Sequence, residues 1–431
     1  MVELELKFSI DEAQLNSLSQ GLRAHGARTV RLNAQHYDTA DFQLARHGLS
    51  LRLRKEGRDR TEIARQRFEL DLPNGVVEVA LDRGTVRVGP HQAPLCELKL
   101  ELKTGSAAAL FDLAAAWVRH GGLWLDTRSK SQRGVLLANG PADRSPALGP
   151  ALKQHRRLDG RQMLCAVLGS VMNELLLNAS HVASGSSDGE QIHQLRVGLR
   201  RLRTALREFR SSAKGVDPGW DAALGRAFAE LGRVRDDDAV AETVKPVLVQ
   251  AGASKLVWHK SAGAGDATDA VRHQAFQLTL LDILKYSLAD ADPRQAPPRS
   301  HRACLRHLEQ RLTCLHRQAV HSGKRFAKLP LNKQHQARKR LKQLRYLAEF
   351  VAPLESASAV KKYFGVLRSA QDALGLHNDI GVAARHFRAD GGPGSESHRS
   401  ADILDRHARS TGRLAQAALR KLSDASPFWG G

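Results

Sequence analysis

The sequence predicts an α+β protein of two domains: an N-terminal antiparallel β tunnel or barrel, then an all-α domain of duplicated helical bundles. Three observations carry this. Short stretches alternating between apolar and polar residues crowd positions 1–134, long helical patterns fill the chain beyond 158, and one helix-sized motif in the second part occurs twice. Strands first and helices after is the order of segregated layers, not of repeated βαβ units.

Within 1–134 the alternating stretches are Val2–Phe8, Leu49–Arg54, Glu62–Asp71, Val76–Leu81 and Leu95–Lys103, the period of half-buried strands. Pro73-Asn74-Gly75 and Asp82-Arg83-Gly84 read as turns between them. One inserted helix is expected over Ala107–His120. Residues 135–157 carry Gly, Pro, Ala and Arg without periodicity and read as a linker. From 158 to 425 the pattern is helical, with polar breaks near Ser211–Pro218, Ala262–Thr268, Pro293–Ser300 and Gly391–Ser400. The third break divides this part into two repeats, about 158–290 and 300–425.

Composition narrows the function. At 42% apolar residues the chain can bury real cores. Cys96, Cys165, Cys304 and Cys314 have neither disulfide-framework nor metal spacing and are expected as reduced thiols. The opening MVELELKF has no signal-peptide apolar stretch, and no apolar run approaches the ~20 residues of a membrane span. A cytoplasmic protein that does not enter membranes is expected. The chain has 66 Lys and Arg against 45 Asp and Glu, formally +21. Residues 1–150 hold 21 basic against 18 acidic, leaving 45 against 27 for the remainder. The second part therefore predicts a polyanionic partner.

The repeat gives that charge a shape. Residues 192–209 read IHQLRVGLRRLRTALREF and residues 334–350 read QHQARKRLKQLRYLAEF. Aligning His193 with His335 places Arg196 over Arg338, Leu199 over Leu341, Arg200 over Lys342, Leu202 over Leu344 and Arg203 over Arg345. At almost equal distances downstream, Leu231-Gly232-Arg233-Val234-Arg235-Asp236 matches Leu374-Gly375-Leu376-His377-Asn378-Asp379. At 100° per residue His193, Arg196, Arg200, Arg203 and Arg207 fall in an arc of roughly 80°, while Leu195, Leu199, Leu202, Leu206 and Phe209 face a core. Each copy is expected to present a narrow, solvent-facing cationic ladder, and in the first no acid stands among its four arginines. Like charges at i,i+3 and i,i+4 disfavour a helix. A solvated basic face would explain one copy, but need not be repeated position by position. An absent anion explains both. Asp236 and Asp379 read as groups that orient arginines or helices, not as catalytic acids.

The doubled H-x-x-R-x-x-x-[RK]-x-x-R helix with its later L-G-x-x-[RN]-D element resembles the CHAD family over about residues 158–425. That resemblance implies two bundles related by a pseudo-twofold, with basic faces lining a pore that binds inorganic polyphosphate, and association with polyphosphate granules. Carried over by position, the polyphosphate-binding residues are His193, Arg196, Arg200, Arg203, His335, Arg338, Lys342 and Arg345. Arg207 joins them in the first copy, where the second has Glu349. Nucleic acid is the second reading and is disfavoured: aromatics are 5% of the chain and none lies on the first stripe, whereas single-strand binders need stacking platforms.

The N-terminal strands carry charge on alternate positions: Glu3, Glu5 and Lys7; Arg52 and Arg54; Glu97, Lys99, Glu101 and Lys103, with Lys130 and Arg133 beyond. Several such faces together suggest a barrel with a charged interior, in which carboxylates hold a divalent metal and cations grip phosphoryl oxygens. The E-L-E-L-K opening, Tyr37-Asp38-Thr39, L-R-L-R and E-V-A-L-D-R-G resemble the CYTH family of triphosphate tunnel metalloenzymes. This implies Mg²⁺ or Mn²⁺ on Glu3 and Glu5, with Glu97 and Glu101 completing the set, and phosphate on Lys7, Arg52, Arg54, Lys103, Lys130 and Arg133. Hydrolysis of triphosphate or polyphosphate is the enzymatic alternative that follows. The short Arg54–Glu62 stretch, and Lys99 between Glu97 and Glu101 where the family carries an acid, predict an incomplete tunnel that binds phosphate more readily than it hydrolyses it.

Overall fold

The computed structural model describes residues 3–139, 157–251, 266–288 and 297–430, apart from 25, 38, 40–42, 48–50, 57–62, 391 and 393–394. The side chains of 33, 36, 45–46, 52–56, 139 and 233–242 also lie outside the description.

Seven strands form one antiparallel sheet: β1 (Glu5–Ser9), β2 (Arg28–Tyr37), β3 (Leu51–Glu56), β4 (Ile63–Leu72), β5 (Gly75–Val88), β6 (His91–Gly105) and β7 (Trp124–Leu125). Their order is β3-β2-β4-β5-β6-β1-β7. Among the described residues β3 and β7 are edges and nothing pairs them, so the sheet is open, as the shortened sequence predicts. Helices α1 (Glu12–Ala24), α2 (Gln43–Arg46), α3 (Ala107–Gly121) and α4 (Lys130–Asn139) accompany it. The sequence reading expected α3 alone; α1 was missed because only Leu15 and Leu22 are buried on an otherwise polar helix.

One predicted turn holds and one does not. Leu72 pairs directly with Gly75 across Pro73-Asn74. Gly75 has φ +153, and a Cβ there would stand 2.3 Å from the Thr104 carbonyl oxygen, so only glycine fits. Asp82-Arg83-Gly84, in contrast, lies inside β5, and the chain reverses at Gly89-Pro90 between Val88 and His91. Asp82 sits opposite Glu97, an arrangement that repels unless cations stand between. Lys130 does so, 2.9 Å from Asp82 and 2.5 Å from Glu97, while Arg65 reaches Asp82 at 2.6 Å.

Alternation sorts the two sheet faces. Leu98 and Leu100 of β6 are fully buried in the same apolar cluster as Leu110, Phe111 and Ala114 of α3. The opposite face carries the charges, and α4 packs on β5 and β6. Its Lys130 and Arg133 neutralise Asp82, Glu97 and Asp126. Asp126 is 0% exposed, accepts hydrogen bonds from Ser9 Oγ at 2.9 Å and from Arg128 Nε at 2.9 Å, and is 3.1 Å from Arg133 Nη2.

The helical part comprises α5 (Gly160–Ala183), α6 (Gly189–Ala213), α7 (Pro218–Gln250), α8 (Ala267–Arg272), α9 (Gln274–Leu288), α10 (His301–Gly323), α11 (Leu331–Val351), α12 (Ala357–Asp390) and α13 (Glu396–Ser423). Aspartates cap several starts: Asp159 forms a capping box with Gln162, and Asp188, Asp217 and Asp266 accept from the first-turn amides of α6, α7 and α8. The duplicated motifs fall on equivalent elements, α6 with α7 and α11 with α12. Phe209 of α6 meets Phe350 of α11, ring centroids 6.5 Å apart. Buried Glu174 and half-buried Glu349 flank Arg201 at 2.6 and 3.5 Å. The end of α7 crosses to the second repeat, where Val244 and Leu248 pack with Ile380, Phe387 and Leu404.

Contrary to the sequence expectation, α5 has the length and composition of a membrane span, but 67% of its apolar window is buried inside the protein. The sheet docks on this helical core. The Leu125 amide donates to Gln277 Oε1 at 2.8 Å, and the Arg272 guanidinium lies 3.7 Å from the Trp124 ring centroid.

Asp126→Ala strands Arg128 and Arg133 beside a buried void. Loss of about 3–5 kcal/mol is expected for breaking such a pair on one side, read as a lowered urea midpoint with an unchanged m-value.

Candidate anion-binding site

The cationic stripes of α6 and α11 are not solvent ladders. Arg196 is 5% exposed, and Arg200, Arg203, Arg338 and Lys342 are half-buried. They were read as exposed because a helical period fixes which residues share a face but not what covers it. Here α7 covers the α6 stripe, with Phe228 under Arg196 and Arg200, and α11 brings the second stripe alongside. The charges of Arg200, Arg338 and Arg196 all bear on Lys342, so four cations from two helices converge on one space. Asp379 of α12 is the acid that acts against them there, 3.9 Å from Arg338. The Asp236 side chain, its counterpart, lies outside the described residues.

Burial first, then Arg200 and Arg338, lowers the Lys342 amine to about 6. Arg200 is lowered as well, by burial first, against the Tyr346 hydroxyl that hydrogen-bonds it. His335 lies beside Asn378 and is pushed below the usual histidine range by burial and then by Lys339. A cavity of about 370 Å³ opens next to this group, lined by His335, Arg338, His377, Asn378, Arg385 and Asp405 among others.

Helix α7 supplies a seat that the sequence reading did not find. Asp221, Gly225, Phe228 and Gly232 recur at helical spacing on one face. Arg196 and Arg200 stack over Phe228, 4.9 and 4.8 Å from its centroid. A Cβ on Gly232 would come 3.1 Å from Arg196 Nη2, and one on Gly225 3.1 Å from Arg203 Nη2. Glycine every seven residues on an otherwise well-formed helix was the available signal. Asp221 of α7 brings an acid to a stripe that has none of its own: it lies 2.7 Å from Arg203 Nε and 3.7 Å from Arg207 Nε. Arg345 is likewise held, by Glu349 at 2.8 Å and by Gln371. The nine predicted residues thus divide. Arg196, Arg200, Arg338 and Lys342 form the converging group, His335 lies at its edge, and Arg203, Arg207 and Arg345 are ion-paired. His193 is half-buried one turn before Arg196.

On the sheet, Glu3, Glu5 and Glu101 come together, their nearest oxygens within 4.8 Å of one another. Glu97 does not join them; it is buried against Lys130 and Arg133, because α4 takes that end of the face. The proposed phosphate-gripping cations are similarly engaged: Lys103 by Glu101 at 2.6 Å and Glu78 at 3.6 Å, Lys130 and Arg133 as above, and Lys7 by the Arg128 carbonyl at 3.4 Å. The Arg52 and Arg54 side chains lie outside the description. The centre of the carboxylate group is taken by the Lys99 ammonium, 2.7 Å from Glu5, 2.9 Å from Glu101 and 3.5 Å from Glu3. A divalent cation does not fit this arrangement while that ammonium stays.

A duplicated helical bundle with opposed basic faces, behind an open antiparallel sheet, defines the class. The profile of the CHAD domain matches residues 166–388 and that of the CYTH domain residues 1–64. The chain belongs to the CHAD family, with a shortened CYTH domain before it. A 79-residue stretch, 18% of the chain, is 29% identical to the inorganic triphosphatase of Haemophilus influenzae and spans 22% of that relative's length. Among solved structures, the CHAD domain from the plant Ricinus communis is 22% identical (TM-score 0.47, 66% of this chain and 98% of that one). PptA from Streptomyces chartreusis is 19% identical (TM-score 0.41, 62% and 99%).

The Lys342 environment sets a pH dependence. An amine lowered from 10.5 to about 6 on folding means that the unfolded chain binds the extra proton between those values, so stability falls as pH drops from 10.5 towards 6. Lys342→Met removes this cost. The variant is expected to gain melting temperature over the wild type at pH 6, with the gain shrinking towards pH 10.

Proposed function

We propose that this protein binds inorganic polyphosphate between α6 and α11, with Arg196, Arg200, Arg338 and Lys342 gripping the chain and His193, His335, Arg203, Arg207 and Arg345 extending the grip along the stripes. The observation that carries the reading is the convergence of three guanidinium groups and the Lys342 amine on a space where, among the described residues, Asp379 is the acid that opposes them. Holding like charges together in a poorly solvated space raises the free energy of the empty protein. A polyanion relieves it. Domain membership and the triphosphatase relative support a phosphate chain as that polyanion. The seat on α7 supports it too: Phe228 is stacked under guanidinium groups, so its ring is committed to holding arginines and is not a platform for bases.

Hydrolysis is the second reading, favoured by the triphosphatase relative and opposed by the position of Lys99. Phosphate release from tripolyphosphate with Mg²⁺ or Mn²⁺ would separate the two; the binding reading expects none above the no-enzyme rate.

The direct test is titration of long-chain polyphosphate into the wild type and into Arg200→Ala/Arg203→Ala/Lys342→Ala/Arg345→Ala, with single-stranded DNA as competitor. The wild type is expected to bind tightly, to resist displacement by DNA, and to weaken linearly in log–log form with salt. The variant should lose on the order of 100-fold or more and show a shallower salt slope. Equal affinity for both polymers, or an unaffected variant, would overturn the proposal.

Protons report on the same event. At pH 7.5 the Lys342 amine is mostly neutral in the free protein, and an anion beside it raises its affinity for a proton. Calorimetry in buffers of different ionisation enthalpy is expected to show uptake of up to about one proton per site, falling in Lys342→Met.

A further inference from the structure

We infer that Lys99 is a tethered substitute for a divalent cation: its ammonium closes the Glu3, Glu5 and Glu101 group against Mg²⁺ and Mn²⁺, and a single substitution would open a metal site. The argument starts from register. β1 and β6 pair antiparallel with Glu5 opposite Glu101 and Lys7 opposite Lys99. Glu5, Lys99 and Glu101 therefore share one face within diagonal reach, and Glu3 extends the row. The carboxylate oxygens sit within 4.8 Å of one another, a spacing that three ligands of one oxygen-loving cation can adopt. Such a group repels itself unless a positive charge stands inside it. The chain supplies that charge from position 99, at 2.7, 2.9 and 3.5 Å.

One further contact and the burial of the pair strengthen the closure. Glu101 gives its second oxygen to Lys103 at 2.6 Å, so an incoming metal must displace both ammonium groups from one carboxylate. Lys99 is only 19% exposed, and Glu101 15%, so the ion pair is poorly screened by water. A tethered cation also cannot be diluted away, because its effective concentration is set by the stem, and an incoming metal ion must outcompete it. The burden of neutralising the sheet face has passed from a bound ion to the polypeptide, and the N-terminal unit keeps the geometry of a metal site without its vacancy. This does not rest on polyphosphate binding between α6 and α11, and either can fail alone.

The experiment titrates MnCl₂ into the full-length wild type, Glu5→Gln, Lys99→Met and Lys99→Met/Glu5→Gln, following free Mn²⁺ by electron paramagnetic resonance and melting temperature by calorimetry. No saturable Mn²⁺ site dependent on these carboxylates is expected in the wild type. Lys99→Met should gain one site at least 10-fold tighter than any wild-type binding, with a melting temperature that rises on adding Mn²⁺. The double variant should lose both gains. A wild-type site abolished by Glu5→Gln would overturn the inference, as would a folded Lys99→Met that gains none. If Lys99→Met does not fold, Lys99→Gln, which keeps a donor to Glu5 or Glu101, is judged by the same outcomes.

Discussion

Repulsion between cations held in the seam of two packed helices is the constraint around which the helical part is arranged. α6 and α11 must approach closely enough to join their apolar faces, where Phe209 meets Phe350, yet each brings a row of basic side chains to the same seam. The surrounding elements manage that conflict locally. Asp221 restrains Arg203 and Arg207, Glu349 restrains Arg345, and Arg201 is bound between Glu174 and Glu349. At the centre Asp379 stands 3.9 Å from Arg338, and Arg200 and Lys342 hold their protons less tightly than usual. Phe228, Gly225 and Gly232 aim the guanidinium groups without neutralising them. The energy stored there is the physical counterpart of affinity for whatever anion enters.

The sheet faces the same problem and resolves it the other way. Its charged face alternates acid and base along β6 and across to α4, until Asp82, Glu97 and Asp126 each have cationic partners. The sheet thus neutralises its charge in pairs, while the helical part pairs the outer members of its stripes and sets Asp379, among the described residues, against the converging group. The net charge of +21 is the sum of these opposite strategies, and the uneven distribution along the sequence already separates them.

Much of this was legible beforehand. Repetition exposed the pair α6 and α11, because selection of the same residue types at the same spacing needs no structure to detect. Alternation exposed β4, β5 and β6, and the glycine after Pro73-Asn74 marked a real reversal. What escaped depends on partners distant in sequence. Nothing local says that Arg196 is buried while Arg207 is 45% exposed; α7 makes the difference, with Phe228 and Gly232 packed against the Arg196 guanidinium. Asp82-Arg83-Gly84 has the composition of a turn, but Arg65 and Lys130 hold it extended. Glu97 shares a strand face with Glu101, yet α4, which no pattern announced, claims one and leaves the other.

The four converging groups are guanidinium and amine side chains that meet any phosphate alike. A phosphate chain is the same at every repeat, so one lodged between α6 and α11 would have as many equivalent placements as it has segments of sufficient length. Binding then acquires a statistical weight that grows with the polymer and owes nothing to any added contact. Moving by one phosphate exchanges one equivalent state for another, as in sliding along DNA held by its backbone. A seam built to tolerate its own repulsion would thus behave as a bearing: it retains the thread while letting it run.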